Sequence, residues 1–132
     1  MPTPAELARR WFEEVWNDRR ETAVDELMSA RIEGYMEGGD VHTPGDFKNA
    51  RRQLLDAFPD LRIKVEDTLE QGNKAAIRWS VTATHRGHGL QIPPTNREVK
   101  FRGITWMEFQ DGQLVRGWDS WNLGGLRQTL KE

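Results

Sequence analysis

The sequence predicts an α+β fold in a single domain spanning residues 1–132, with helices first and an antiparallel sheet after them. Three observations carry this. Apolar residues recur at three- and four-residue spacing as far as Phe58, they alternate from Leu61 onward, and Asp111-Gly112 sits between two alternating runs. The first spacing gives one-sided helices and the second one-sided strands. Helices followed by a run of strands is the α+β order. Asp-Gly supplies the two positive φ angles of a type I′ hairpin turn. Four strands of ~10 residues must twist strongly. Three amphipathic helices on one face of such a sheet leave a cone-shaped cavity beneath them.

In chain order, Thr3-Pro4-Ala5-Glu6 carries a helix start, with Thr3 as cap, Pro4 at the first position and Glu6 completing a capping box. Leu7, Ala8, Trp11, Phe12 and Val15 form its apolar stripe, and Asn17-Asp18 ends it. A shorter helix follows over Glu21 to Met28. Arg31 to Met36 reads as a brief strand and Glu37 to Asp40 as a loop. Thr43-Pro44-Gly45-Asp46 repeats the start signal, Phe47, Ala50, Leu54, Ala57 and Phe58 give a third stripe, and Pro59 stops it. Leu61, Ile63 and Val65 alternate with charged residues, Gln71-Gly72-Asn73 turns the chain, and Ala75 to His85 forms the next strand. Gly87 to Asn96 is a Gly- and Pro-rich loop, either a lid or an ordinary connection. The last hairpin, Glu98 to Asn122, precedes a short helical tail, Leu126 to Lys131.

That hairpin holds the candidate chemistry. A two-residue turn sets Gln110 opposite Gln113 and Ile104 opposite Asp119. Trp106, Glu108, Val115, Gly117 and Trp121 then share the face of Asp119, which places one carboxylate between two tryptophans. Desolvation there would raise the carboxyl pKa toward that of a base useful near neutral pH. The competing reading is a surface aspartate, or one paired with Arg102 or Arg116. Trp118 falls on the opposite face with Phe101, Met107, Phe109 and Leu114, an apolar patch that implies cover by a second copy of the chain.

Composition narrows the classes. A net charge of −2 with mixed signs gives no footprint for nucleic acid or a membrane surface, and the absence of cysteine excludes disulfides and thiolate chemistry. The start of the chain lacks a signal-peptide pattern, so a cytoplasmic location is expected. No apolar stretch approaches the roughly 20 residues of a membrane span. His85 and His88 lack the further ligands a closed metal site needs, and His42 lies in a distant loop, so no metal is expected. His85 is instead a candidate for the rim of the pocket, beside the simpler reading of a strand-end histidine. Trp11, Trp16 and Trp79 are expected in the core. Arg78 and Arg102 lie within strands, and Arg102 is the one assigned to the pocket.

Several stretches together resemble a known family. They are Val15-Trp16-Asn17, Ala57-Phe58-Pro59-Asp60-Leu61, Arg78-Trp79, Thr84-His85 with Gly87, Ile92-Pro93-Pro94-Thr95, Phe101-Arg102-Gly103-Ile104, and Asp111-Gly112 with Trp118-Asp119. In this order and spacing they resemble the SnoaL-like polyketide cyclases, or ester cyclases, on the fold shared with nuclear transport factor two and ketosteroid isomerase. The resemblance covers almost the whole chain. It implies a cone-shaped α+β barrel, a deep apolar pocket, no cofactor, and a homodimer or higher oligomer formed through the outer sheet face. It implies an intramolecular aldol condensation with Asp119 as acid/base and Phe12 lining the pocket. The family places a histidine on the preceding strand, where this chain has Thr105 or Trp106.

The expectation is therefore a cofactor-independent cyclase- or isomerase-like enzyme acting on a small hydrophobic carbonyl compound. Asp119 takes the proton, Trp106, Trp121 and Phe12 shape the pocket with Arg102 among its residues, and His85 orients the substrate. Two alternatives stand beside it. One is a ligand-binding or dimeric interaction module without turnover. The other is a hydratase- or epoxide-hydrolase-like reaction, which would need more than one polar side chain to position water.

Overall fold

The computed structural model describes residues 2–132. Its helices are α1 (Pro4–Trp11), α2 (Thr22–Leu27), α3 (Pro44–Ala57) and α4 (Leu123–Lys131). The strands are β1 (Met28–Met36), β2 (Gly39–Val41), β3 (Arg62–Gln71), β4 (Lys74–Thr84), β5 (Glu98–Gln110) and β6 (Gln113–Trp121). They form one open sheet in the order β2-β1-β6-β5-β4-β3. Two features differ from expectation. The strand read as Arg31 to Met36 begins at Met28 and runs parallel to β6, so the sheet is mixed rather than wholly antiparallel. The expected loop after it turns at Gly38 and returns as β2, with Met36 opposite Gly39.

The first helix starts at Pro4 with Thr3 Oγ1 accepting from the Glu6 N–H, but among the described residues the Glu6 side chain does not return a bond to Thr3, so the cap is one half of the expected capping box. Beyond Trp11 it widens into a π-helical turn over Phe12–Asn17, closed by the Asp18 N–H to the Glu13 carbonyl at 2.8 Å. The wider turn buries Phe12, Val15 and Trp16 together. Asn17 then fastens this end to β3: its Nδ2 donates to the Ile63 carbonyl and its Oδ1 accepts from the Ile63 N–H. α3 opens with a full capping box between Thr43 and Asp46. It stops at Ala57, whose carbonyl accepts from the N–H groups of Arg86 and Gly87. Gly87 and Gly89 press so close to α3 that an added Cβ would lie 1.8 Å from the Asp56 carbonyl oxygen and 1.9 Å from that of Gln53. The Gly87–Asn96 segment is thus pinned to the helix, with Leu90 and Ile92 buried. Among the described residues no helix is long and apolar enough to cross a membrane.

The hairpin turn forms as expected, with positive φ at Asp111 and Gly112 and Gln110 opposite Gln113. Two residues further the register slips. Phe109 faces Leu114, yet Glu108 faces Arg116, so Val115 is the extra residue of a β-bulge. A one-residue slip turns every later pair to the other face. Asp119 consequently faces Thr105, and Trp106 faces Trp118. This corrects the pocket assignment of Trp106, which lies on the outer face and is 43% exposed. Phe101 and Met107, expected outside, are packed on the inner face, and Phe109 and Leu114 are buried. Arg102 is likewise on the outer face, exposed opposite Ser80.

Candidate active site

The inner face of β4, β5 and β6 is the floor on which the helices sit. Gly103 pairs with Trp79 on one side and Trp121 on the other. A Cβ there would lie 2.6 Å from the Trp79 ring and 2.8 Å from the Trp121 Cβ, so only glycine fits. With that space free, Phe101 and Trp121 stack at 4.9 Å, and Trp79 meets each edge-on at 6.3 and 6.4 Å. From the helix side Trp11 and Trp16 pack on Phe47.

Between floor and helices lie two adjoining compartments, with about 390 and 500 Å³ of space free of atoms, counting the part open to solvent. Asp119, Thr105, Trp11, Met36 and Phe47 line both. The first continues along Met28, Ile32 and Met107, the second along Phe12, Trp16, Phe101 and Trp121. Asp119 therefore stands where two apolar spaces meet.

Its own bonding is directional. The Trp79 indole N–H donates to Thr105 Oγ1 at 2.9 Å, and the Thr105 hydroxyl donates to Asp119 Oδ1 at 2.6 Å. Because the indole has only a proton to give, the threonine proton is directed at the carboxylate. Oδ2 has no protein partner among the described residues. Burial pushes the Asp119 carboxyl up to about 6; the Thr105 hydroxyl pulls the other way, and the Glu37 carboxylate adds to the rise.

Of the sequence-assigned residues, the structure brings Asp119, Trp121 and Phe12 to this space. It does not bring Trp106 or Arg102, which the bulge and the strand parity set outside. His85 lies inward but past the cavity. It is fully buried against Phe58 beneath the pinned segment, its Nδ1 within 3.1 Å of the Thr95 hydroxyl. Its Nε2 has no partner, and burial pushes its pKa down. Thr105, Trp79, Phe101 and Met36 are the lining residues that pattern reading missed. Thr105 had one signal in the sequence: with Trp106 it stands where the family places its histidine. Among the described residues no group of three or more His, Asp or Glu is placed to hold a metal ion.

The outer face carries a contrasting carboxylate. Glu108 accepts from the Trp106 indole at 2.9 Å and from Arg116 at 2.8 Å, and Arg116 also reaches Glu33. The Trp106 N–H first, with Arg116 and Lys74 adding to it against the cost of desolvation, holds the Glu108 carboxyl below its ordinary range. Beside it, Tyr35 stacks on Trp118, and a row of exposed apolar side chains continues through Trp106 to Leu69.

A charge-poor cavity with one acid on the last strand narrows the comparison with known proteins, and the family model for SnoaL-like polyketide cyclase matches residues 6–130. The chain belongs to that family. Among solved structures, a candidate SnoaL-like polyketide cyclase from Jannaschia sp. CCS1 superposes with a TM-score of 0.88 at 21% identity, covering 96% of this chain and 90% of that one. AclR from Streptomyces galilaeus, described as a candidate hydroxylase, gives 0.84 at 28% identity, covering 97% and 80%. IdmH from Streptomyces antibioticus, described as a candidate polyketide cyclase, gives 0.83 at 20%, covering 99% and 100%. No curated protein matches the chain. The SnoaL-like chain thus shares its fold with proteins carrying both descriptions.

Proposed function

We propose that this SnoaL-like chain is a cofactor-independent enzyme of cyclase or isomerase type, in which Asp119 removes a proton from carbon next to a carbonyl of a small hydrophobic, polyketide-like compound. The observation that supports it is the position of Asp119: one oxygen is committed to Thr105, the other is unpartnered, and two apolar compartments meet there. A carboxyl pushed up to about 6 is ionised at pH 7 and is a stronger base than an ordinary aspartate. In the step, the substrate C–H bond breaks, its proton goes to Asp119 Oδ2, and the electron pair moves onto the carbonyl oxygen as an enolate. A second carbonyl conjugated to the first spreads that charge. Trp11, Trp16 and Trp121 line the same space and give the substrate an aromatic surround. In a cyclisation the enolate carbon attacks a second carbonyl of the same molecule and Asp119 returns the proton to the new alkoxide. In an isomerisation the proton returns to a different carbon.

The test is deuterium exchange at the activated carbon of an aromatic 1,3-dicarbonyl probe. Asp119→Asn should slow enzyme-dependent exchange by roughly 10²–10⁴-fold. Unchanged exchange would remove Asp119 from the reaction. The exposed row of Tyr35, Trp118, Trp106 and Leu69 supports a homodimer through the outer sheet face. Sedimentation should then show a dimer that Leu69→Lys weakens, with exchange per chain retained.

A further inference from the structure

Adjoining the inner compartments is a broader cleft with about 1160 Å³ of space free of atoms, counting open solvent. It shares Met36, Leu54 and Trp121 with the inner space, so a ligand reaching Asp119 from this side passes it. The inner lining is apolar, but the cleft is not. Glu37 comes from the β1–β2 turn, Asp40 from β2, His42 from the link before α3, Asp46 from the first turn of α3, and Arg127 from α4. Three carboxylates thus face one guanidinium and one imidazole. Asp46 is occupied by its cap bonds to the His42 and Thr43 N–H groups, and Arg127 donates to the Leu90 carbonyl at 2.9 Å.

Glu37 has a different position. Its Oε1 accepts from the backbone N–H of Trp121 at 3.2 Å, which ties the β1–β2 turn to the strand end two residues past Asp119. The adjacent Gly38 has φ +95°, and a Cβ there would lie 3.4 Å from the Leu123 side chain, so the turn runs close to the start of α4. One carboxylate of the cleft is therefore bonded to the end of the strand that carries the acid within.

We infer that Glu37 is a positioning and specificity residue, a fixed negative charge at the cavity mouth that excludes ligands whose outer end is anionic and admits those whose outer end is uncharged. The inference rests on the reading of Asp119 as the reacting group. Two like charges within a few ångströms repel appreciably even near solvent, and salt screens the effect. The same charge also acts inward, since it contributes to the raised proton affinity of Asp119. Asp40, Asp46, His42 and Arg127 are the other titratable or charged groups facing Glu37 across the cleft.

The experiment uses two aromatic 1,3-diketone probes of equal length, one tail ending in a carboxamide and the other in a carboxylate. Binding to the full chain should favour the carboxamide by roughly fivefold at low ionic strength, and less at high salt. Glu37→Gln keeps an acceptor for the Trp121 N–H but removes the charge. It should bring the two affinities together and move the Asp119 titration, read by carboxyl carbon NMR, to lower pH. Asp40→Asn should leave the Asp119 titration in place. Equal binding of both probes to the wild type, or an Asp119 titration unmoved by Glu37→Gln, would overturn the inference while leaving the Asp119 reading intact. Discrimination between the tails together with exchange unaffected by Asp119→Asn would do the reverse. Binding of neither probe would overturn both.

Discussion

The two faces of one hairpin hold two buried carboxylates with opposite proton affinities. Glu108 is 8% exposed, accepts from an indole and a guanidinium, and is held below its ordinary range. Asp119 is partly buried, accepts from one hydroxyl, and is pushed up to about 6. Desolvation is the largest influence on Asp119, whereas at Glu108 the Trp106 N–H outweighs it. The balance between burial and the protons that neighbours supply to the ionised form sets each direction. On the outer face the donors outweigh desolvation. On the inner face a single neutral donor does not, and the carboxylate is left with affinity to spend on a substrate proton.

Removing each charge separately sharpens the contrast. Asp119 has a folded-state pKa above its ordinary 3.8, so its ionisation opposes folding. That penalty is absent below about pH 4, grows as pH rises toward 6, and is complete above it. Asp119→Asn should stabilise the chain at pH 8 by at most about 3 kcal/mol, less where cavity solvent screens the charge, and by nothing near pH 4. Glu108 is the reverse. Its depressed pKa gives stability that is present at pH 7 and fades as the group is protonated in acid, so Glu108→Gln should cost about 1 kcal/mol at pH 7 and less at pH 4. Chemical denaturation of both variants at the two pH values reads the signs directly; equal signs would break the comparison. The smallest effect tests the single donor. Thr105→Val should raise the Asp119 titration above about 6, because it removes the one bond that favours the ionised form. Thr105→Ser should restore it. A pH–rate profile that is the same for both substitutions would deny the threonine this role.

The turn at the end of this hairpin was legible because Asp111-Gly112 states its geometry locally. The bulge was not, since alternation continues undisturbed on each side of an inserted residue. Its only trace is Leu114-Val115, two apolar residues in succession, and a sequence offers many such pairs. Missing it exchanged Thr105 for Trp106 beside the acid and put Phe101 outside. Trp121 and Phe12 escaped that error. Trp121 shares a strand with Asp119 beyond the bulge, and the Phe12 assignment came from the family resemblance. The parallel pairing of β1 with β6 was hidden for another reason. Ser29, Ala30 and Arg31 break the apolar pattern, and strand order is a long-range property that no local stretch encodes.

Gly103 has one more consequence. Three rings can crowd together on the floor only because that position has no side chain. The chamber's capacity is therefore fixed beneath its contents, at a point no ligand needs to touch, and a relative with a methyl group there would have to splay its rings and hold a differently shaped guest.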